Sequence, residues 1–385
     1  MRRTLGKRIL QAAALSTFLV LLGLTIFLFR EGLPAIFEAP YKGTQFAVHP
    51  ENPLTTLTSN QIRSLVKKEK GWINVGGPEA PVIAVHLANI ERFVPAGASP
   101  ERIKRALDSL AELKGILFAL PPSFLPTKTK PLQVKWSGWR EVFASAQWSP
   151  TYEPIPSVGF LPLLAGSLWV SLIGLIVVVP LGIAMAVYVV EFLPKSMYYP
   201  VKILWELLSG LPSVVVGFWG LVVVVPWIKK AFGLSAGETA LTAGLLLGWM
   251  TLPLMASLVE EALRSIPRLL EESSYGLGAT QWQTIIRLKL PYVLPSIATA
   301  TLLSAGRIIG ETMVVLMVSG NSPLLPLSPL HPVRTLPATI AAELGEAPVG
   351  SYHYHVLFLL GMVLFLLTLG LNLLAYFISP RHAKV

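Results

Sequence analysis

Apolar residues along this chain are gathered into long blocks instead of recurring with a strand or surface-helix period. The first block, residues 9–29, carries no charge and follows Arg2, Arg3, Lys7 and Arg8. Further blocks occupy about residues 160–190, 207–228, 239–259, 294–319 and 354–378. Each has about the 20 residues that a helix needs to cross a bilayer. The pattern therefore predicts an all-α polytopic membrane protein with six transmembrane helices. The second block is over-long and contains Pro180-Leu181-Gly182, but its halves are too short to span, so one kinked or protruding helix is expected. The first block exceeds the roughly 7–15 apolar residues of a signal peptide and leads into Arg30, Glu31 and Pro34, which reads as an uncleaved anchor.

The polar interval 31–158 is patterned as a small α/β module. Ser59–Glu69 reads as a helix stopped by Gly71, Pro81–Leu87 as a strand, and Ile116–Leu120 as another. Ser99-Pro100 supplies an N-cap and first position for a helix that reaches Lys114 and stops at Gly115. Ile103, Leu107, Leu110 and Leu113 share one side of it, the pattern of a helix packed on a sheet. Pro121-Pro122 and the prolines of 126–131 read as a linker back to the membrane. The domain division is then 1–30 (N-terminus and first span), 31–158 (insertion and linkers), 159–379 (five-span core) and 380–385 (tail).

Composition sharpens this picture. Of 385 residues 53% are hydrophobic and only 14% charged, with a mean hydropathy of +0.62, which excludes a soluble, disordered or fibrous protein. Having no cysteine, the chain has no disulfide or thiolate metal site. The net charge of +10 is a matter of orientation. Twelve Lys/Arg lie in 1–8, 191–202, 260–293 and 380–385, against three in 229–238 and 320–351, which predicts cytoplasmic termini. No nucleic-acid-binding motif accompanies the charge. Trp169, Trp227, Tyr198, Tyr199, Tyr352 and Tyr354 read as interfacial belts against lipid, and His353 and His355 do not share a helical face, so no metal site is expected.

Two stretches carry candidate chemistry. In the connector 260–291, Glu271–Tyr275 reads as a short helix ended by Gly278. Thr280 and Gln283 have capping-box spacing for a second helix that stops at Pro291. Pattern alone leaves two readings even, a helix-turn-helix lying outside the bilayer or an amphipathic hairpin resting Trp282, Ile285, Ile286 and Leu290 on lipid. Arg307 lies about mid-span, at a cost of at least ~2.5 kcal/mol unless it faces protein or water. Glu311 follows one turn later, so it is expected to reach Arg307 and neutralise it, as an ion path or as a structural pair. Ser209, Ser213 and Thr312 are donors for a path or small residues for packing. No Gly-x4-Gly-Lys-Ser/Thr loop is present, so energy from ATP has to come from a partner.

Glu272-Ser273-Ser274, three residues, Gly278, nine residues, then Leu288-x-Leu290-Pro291 resembles the EAA signature of ABC importer permeases, with Ser for both Ala and Leu288 for Ile. Gly210-Leu211-Pro212-Ser213 through Gly220, and Gly306-Arg307-Ile308-Ile309-Gly310-Glu311-Thr312-Met313, are similar to the PstC-type permeases of phosphate importers. The resemblance covers the first span and about residues 138–379. It implies the type I ABC importer permease fold in the bacterial inner membrane, working by alternating access and with no catalytic or metal site of its own. Glu272, Ser273, Ser274, Gly278, Thr280, Leu290 and Pro291 would form the loop that docks on an ATPase. Arg307, Glu311, Thr312, Ser213 and Ser209 would line the substrate path. There Arg307 supplies a permanent charge and a fork matching two phosphate oxygens, and Glu311 competes for it so that the anion is released.

The implied partners are a PstA-like second permease subunit, a PstB-like ATPase dimer carrying the ATP and magnesium, and a PstS-like phosphate-binding protein. This chain would hold no cofactor. Two departures stand out: the long insertion, and Ala342-Glu343-Leu344-Gly345-Glu346-Ala347 in place of the family's Asn-Glu-Phe-x-Glu-Ala. Leu57 to Val85 faintly resembles part of a periplasmic phosphate-binding protein without its Ser-Gly-Thr stretch, so a scaffold or docking role is expected for the insertion. The competing readings are a permease for another oxyanion, a proton-coupled carrier with Glu311 as proton site, and a membrane-anchored sensor.

Overall fold

The computed structural model describes residues 2–41, 43–94, 97–136 and 138–379, with side chains from Gln11 onward; the predicted tail 380–385 lies outside them. The chain forms two compact units, residues 1–160 with 348–356, and residues 161–347 with 357–385.

The first unit opens with α1 (Arg2–Gly32) and α2 (Pro34–Phe37), which together give a candidate span over Gln11–Phe37. Its α/β module comprises β1 (Gln45–Val48), β2 (Thr56–Thr58), α3 (Ser59–Val66), β3 (Ile83–His86), α4 (Pro100–Leu110), β4 (Ile116–Leu120), β5 (Lys130–Lys135) and α5 (Trp139–Ala144). The sheet order is β2-β5-β1-β4-β3, with β1 antiparallel to both β4 and β5 and parallel pairs at the two edges. Every residue of β4 is buried because helices cover both faces of the sheet. Leu117 and Ala119 join Phe46, Val48 and Trp72 on the α3 side, whereas Ile116, Phe118 and Leu120 join Leu107 of α4.

This structure corrects the sequence reading at several points. The segment after Pro126 is more than a linker, because it enters β5, a strand inside the sheet. Inward positions of β5 alternate with exposed ones, but only Leu132 and Val134 among them are apolar, too short a run to mark a strand beside the prolines. The first module helix stops at Val66, well before Gly71, where Lys68 takes a left-handed φ of 57°. The second stops at Leu110, ahead of Gly115. Buried Arg63 donates to the Ile155 and Pro156 carbonyls and lies 3.6 Å from Glu141 of α5. Tyr352, read as a belt residue, and His355, given no role, donate to the carbonyls of Ala35 and Glu31.

The second unit contains α6 (Leu161–Glu191), α7 (Lys195–Ser209), α8 (Ser213–Trp219), α9 (Val225–Phe232), α10 (Ala240–Arg264), α11 (Arg268–Gly276), α12 (Gln281–Thr284), α13 (Leu290–Ile309), α14 (Met313–Val318) and α15 (Leu336–Glu343). The last helix, α16, runs over Tyr352–Ile378. π-Turns at Gly220–Val224 and Ile285–Lys289 join α8 to α9 and α12 to α13. Among the described residues, six helical stretches are long and apolar enough to cross a membrane, as the apolar blocks predicted. α6 is one helix of 31 residues with Pro180 inside it, about 46 Å long at 1.5 Å per residue. The core of this unit is the seam between α6 and α10, where glycines let backbones approach; at Gly182 an added Cβ would sit 2.5 Å from Met255 Cγ.

Two predicted spans are broken. The block 207–228 is interrupted at Gly210-Leu211-Pro212, so that α7 ends at Ser209 and the candidate span starts at Ser213. The block 294–319 is interrupted after Ile309, where Gly310 caps α13 and α14 begins three residues later. Hydropathy runs straight through both breaks, so the apolar pattern alone gave single spans. α8 and α14 pack together where Gly217 leaves no room for a side chain, with Met317 Sδ 2.8 Å and Val314 Cα 3.2 Å from an added Cβ.

Candidate functional site

α10 ends at Arg264, and the chain then builds the predicted helix-turn-helix. Pro267 opens α11, which buries none of its residues. Gly278 sits at φ +84°, a left-handed geometry that costs any residue with a Cβ, and its N–H donates to the Tyr275 carbonyl at 2.9 Å. Leu277 and Ala279 N–H close the turn on Ser273 and Ser274. Thr280 then caps the second limb as its spacing predicts: Gln283 N–H donates to Thr280 Oγ1 at 3.3 Å, and Thr280 N–H to Gln283 Oε1 at 2.9 Å. Ser274 Oγ and Thr284 Oγ1 share a hydrogen bond of 2.9 Å that holds the limbs together. At the apex Leu277 is 90% exposed.

The second limb does not stop at Pro291. Gln281–Ile309 is continuous, and Leu290 and Pro291 open α13 directly after the π-turn. Within that wide turn Leu290 N–H bonds to the Ile285 carbonyl, which accommodates the ring and missing N–H of the proline that follows. Glu272 and Ser273 lie on the exposed side of α11, where Ser273 Oγ donates back to the Leu269 carbonyl. Of the residues considered for lipid contact, Trp282 and Ile286 are exposed while Ile285 is buried.

Two ionic clusters below this turn were not singled out from the sequence. Glu260, only 1% exposed, accepts from Tyr198 OH at 2.7 Å, Arg264 Nε at 2.8 Å and Lys202 Nζ at 3.0 Å. Arg264 also stacks 4.4 Å over the Tyr198 ring. The hydrogen bond to Glu260 and burial raise the Tyr198 phenol above its usual range. Lys289 Nζ, in turn, lies 2.7 Å from Glu191 Oε1 and 2.8 Å from Glu271 Oε1. The only sequence signal for either was a charge next to an apolar run, because the partners are up to 98 positions apart.

The expected Arg307–Glu311 pair is not formed. Arg307 falls in the last turn of α13, exposed, and among the described residues it has no ion-pair partner. Glu311 lies beyond the helix end, so one-turn spacing no longer brings it over Arg307. Its Oε1 instead accepts from the N–H groups of Thr312 (3.2 Å) and Met313 (3.3 Å), closing the start of α14. Thr312 Oγ1 donates to the Gly310 carbonyl. Ser209 donates to the Glu206 carbonyl and Ser213 opens α8, so these two flank the other helix break. Glu343, in the stretch that departs from the family pattern, is ion-paired with Arg334, whose Nε also donates to the Asn321 carbonyl.

Residues 178–384 match the family described as binding-protein-dependent transport system inner membrane component. A probable ABC transporter permease of Bacillus subtilis, YqgH, is 38% identical over 245 residues, 63% of this chain and 78% of the relative. The phosphate transport system permease protein PstC of Mesorhizobium japonicum is 33% identical over 256 residues, 62% of this chain and 77% of the relative. A solved bacterial alginate ABC importer aligns over 58% of this chain and 80% of its own, at 20% identity and a TM-score of 0.44.

Proposed function

The chain belongs to the family of binding-protein-dependent transport system inner membrane components, and from that premise we propose that it is the PstC-type permease subunit of an ATP-driven importer of inorganic phosphate. It is a multi-pass inner-membrane transport component. On this reading both termini and the hairpin 268–289 face the cytoplasm, in accord with the Lys/Arg asymmetry. A PstB-like ATPase binds the hairpin, a PstA-like permease completes the pathway, and a PstS-like protein delivers phosphate from outside. The observation that carries the proposal is the hairpin itself, with its left-handed Gly278, capped second limb and free Leu277. Relatives named as phosphate permeases narrow the substrate.

Arg307 is the proposed cation of the path. An exposed guanidinium in the last turn before a helix break offers a permanent charge and a two-pronged donor to an oxyanion. Glu311 competes from its place at the break: swung off the α14 N–H groups, it displaces the anion from Arg307. The test is reconstitution of the purified complex in vesicles with the external binding protein and ATP inside. Uptake of phosphate, with sulfate transported poorly, supports the proposal. Uptake without an ATPase, or sulfate carried as well as phosphate, overturns it.

A further inference from the structure

We propose that Lys289 is a positioning residue for energy coupling, a node that fastens the ATPase-docking limb α11 to the end of the second span. The proposal rests on the importer reading above. α11 buries none of its residues, so apolar packing does not fix its place against the body of the protein. What fixes it is polar. The Ser274–Thr284 hydrogen bond ties α11 only to the other limb of the same hairpin. The second tie is Glu271 Oε1, 2.8 Å from Lys289 Nζ, and that same nitrogen lies 2.7 Å from Glu191 Oε1.

Glu191 is the last residue of α6, the helix that packs along α10 and α13. Its backbone carbonyl also accepts from Gln281 Nε2 at 3.1 Å. The ammonium is nearly sealed: the side chains of Lys289 and Glu191 are each only 5% exposed, whereas Glu271 is 35% exposed. The buried ammonium is held firmly on the α6 side, because breaking its contact with Glu191 would strand two sealed charges away from water, and from there it reaches out to Glu271. Lys289 also ends the π-turn Ile285–Lys289, a local irregularity of the kind frequent at functional sites. A push on α11 therefore reaches α6 through Lys289 rather than being absorbed by bending at Gly278. Without the node, α11 keeps its exposed docking face and its turn but is loosely joined to the transport core.

The experiment uses the complete complex in vesicles and reads three quantities: ATPase copurified, ATP hydrolysed, and phosphate taken up per ATP. Glu271→Gln is the lead variant, since its partly exposed carboxylate is replaceable without stranding a sealed charge. Uptake per ATP is expected to fall about fivefold, within the range of single-residue changes in coupling, with ATPase content and hydrolysis near the parental values. Lys289→Met should do the same or more, and Lys289→Arg, which can fork across both carboxylates, should recover most of the ratio. A structural ion pair predicts a different result, lower yield or thermal stability at an unchanged ratio. An unchanged ratio in both Glu271→Gln and Lys289→Met overturns the proposal, as does loss of the ATPase from Glu271→Gln, which would make the carboxylate part of the docking surface. If no ATPase accompanies the parent chain, the importer reading fails and takes this inference with it.

Discussion

Gly244 lies where α10 crosses α6, and replacing it with alanine sets two opposing effects against each other. Alanine is favoured over glycine in a helix interior by about 1 kcal/mol. A Cβ at this position, however, would sit 2.6 Å from Ile173 Cβ, 2.7 Å from its Cγ2 and 3.0 Å from the Val170 carbonyl oxygen. Carbon atoms rest about 3.5–4.0 Å apart, so the helices must part by about 1 Å at the crossing. No neighbour can swing aside: Ile173 is branched at the atom being struck, and Val170 presents its main chain. Overpacking of this kind costs about 1–3 kcal/mol. Separation here also disturbs the next contact, where Gly248 has Val177 Cβ and the Gly174 carbonyl at 2.9 and 3.0 Å from an added Cβ. Against the propensity gain this leaves a net loss of up to about 2 kcal/mol for Gly244→Ala and more for Gly244→Val. Gly370→Ala in α16 is the control, because nothing lies within 4 Å of its added Cβ and propensity acts alone. The assay is thermal unfolding of the purified complex at matched concentration. Gly370→Ala should melt at or slightly above the parent; if Gly244→Ala does the same, the argument that backbone approach holds α6 on α10 is wrong.

Gly278→Asp has open space around it but pays for a left-handed backbone, about 1–2 kcal/mol, and adds a charge at the docking tip. Uptake and phosphate-stimulated ATP hydrolysis should fall together at normal expression, and Gly278→Asn should be milder because it adds no charge to the turn. Arg307→Gln should abolish uptake. Glu311→Gln keeps an oxygen for the Thr312 and Met313 N–H groups, so α14 should persist while phosphate is trapped or leaks. Uptake assays on both single variants and the double variant decide, and a double variant as active as the parent would make both residues structural. In the module, burial pulls the His86 imidazole below its ordinary value of 6.5. The unfolded chain then binds the extra proton first, so this contribution to stability is intact above pH 6.5 and is lost as pH falls below it. Protection factors of the β3 and β4 amides, which correct for the intrinsic slowing of exchange in acid, should fall between pH about 7 and about 5, and His86→Asn should flatten that response.

Much of this protein was legible because its strongest signals are local. Six apolar blocks gave six spans, since a segment in hydrocarbon needs apolar side chains and must satisfy its backbone hydrogen bonds within itself, as a helix does. Thr280 with Gln283, and Gly278 before them, gave the hairpin turn, since a capping box and a left-handed glycine act within a few residues. Ile116–Leu120 gave its strand at the right residues because all five positions are buried. The helix breaks at 210–212 and 310–312 escaped, because hydropathy registers burial and not backbone continuity. With the second break went the expected pairing of Glu311 with Arg307, which assumed helix where the chain turns out of it. The order of the five strands, with β5 inside the sheet, followed from which edges pair in space. Tertiary structure alone decided that Lys289 meets Glu191 and Glu271, and that Glu260 gathers Tyr198, Lys202 and Arg264. A buried charge must find its counter-charge wherever packing places one, and chain distance leaves no trace of that partner in the residues on either side.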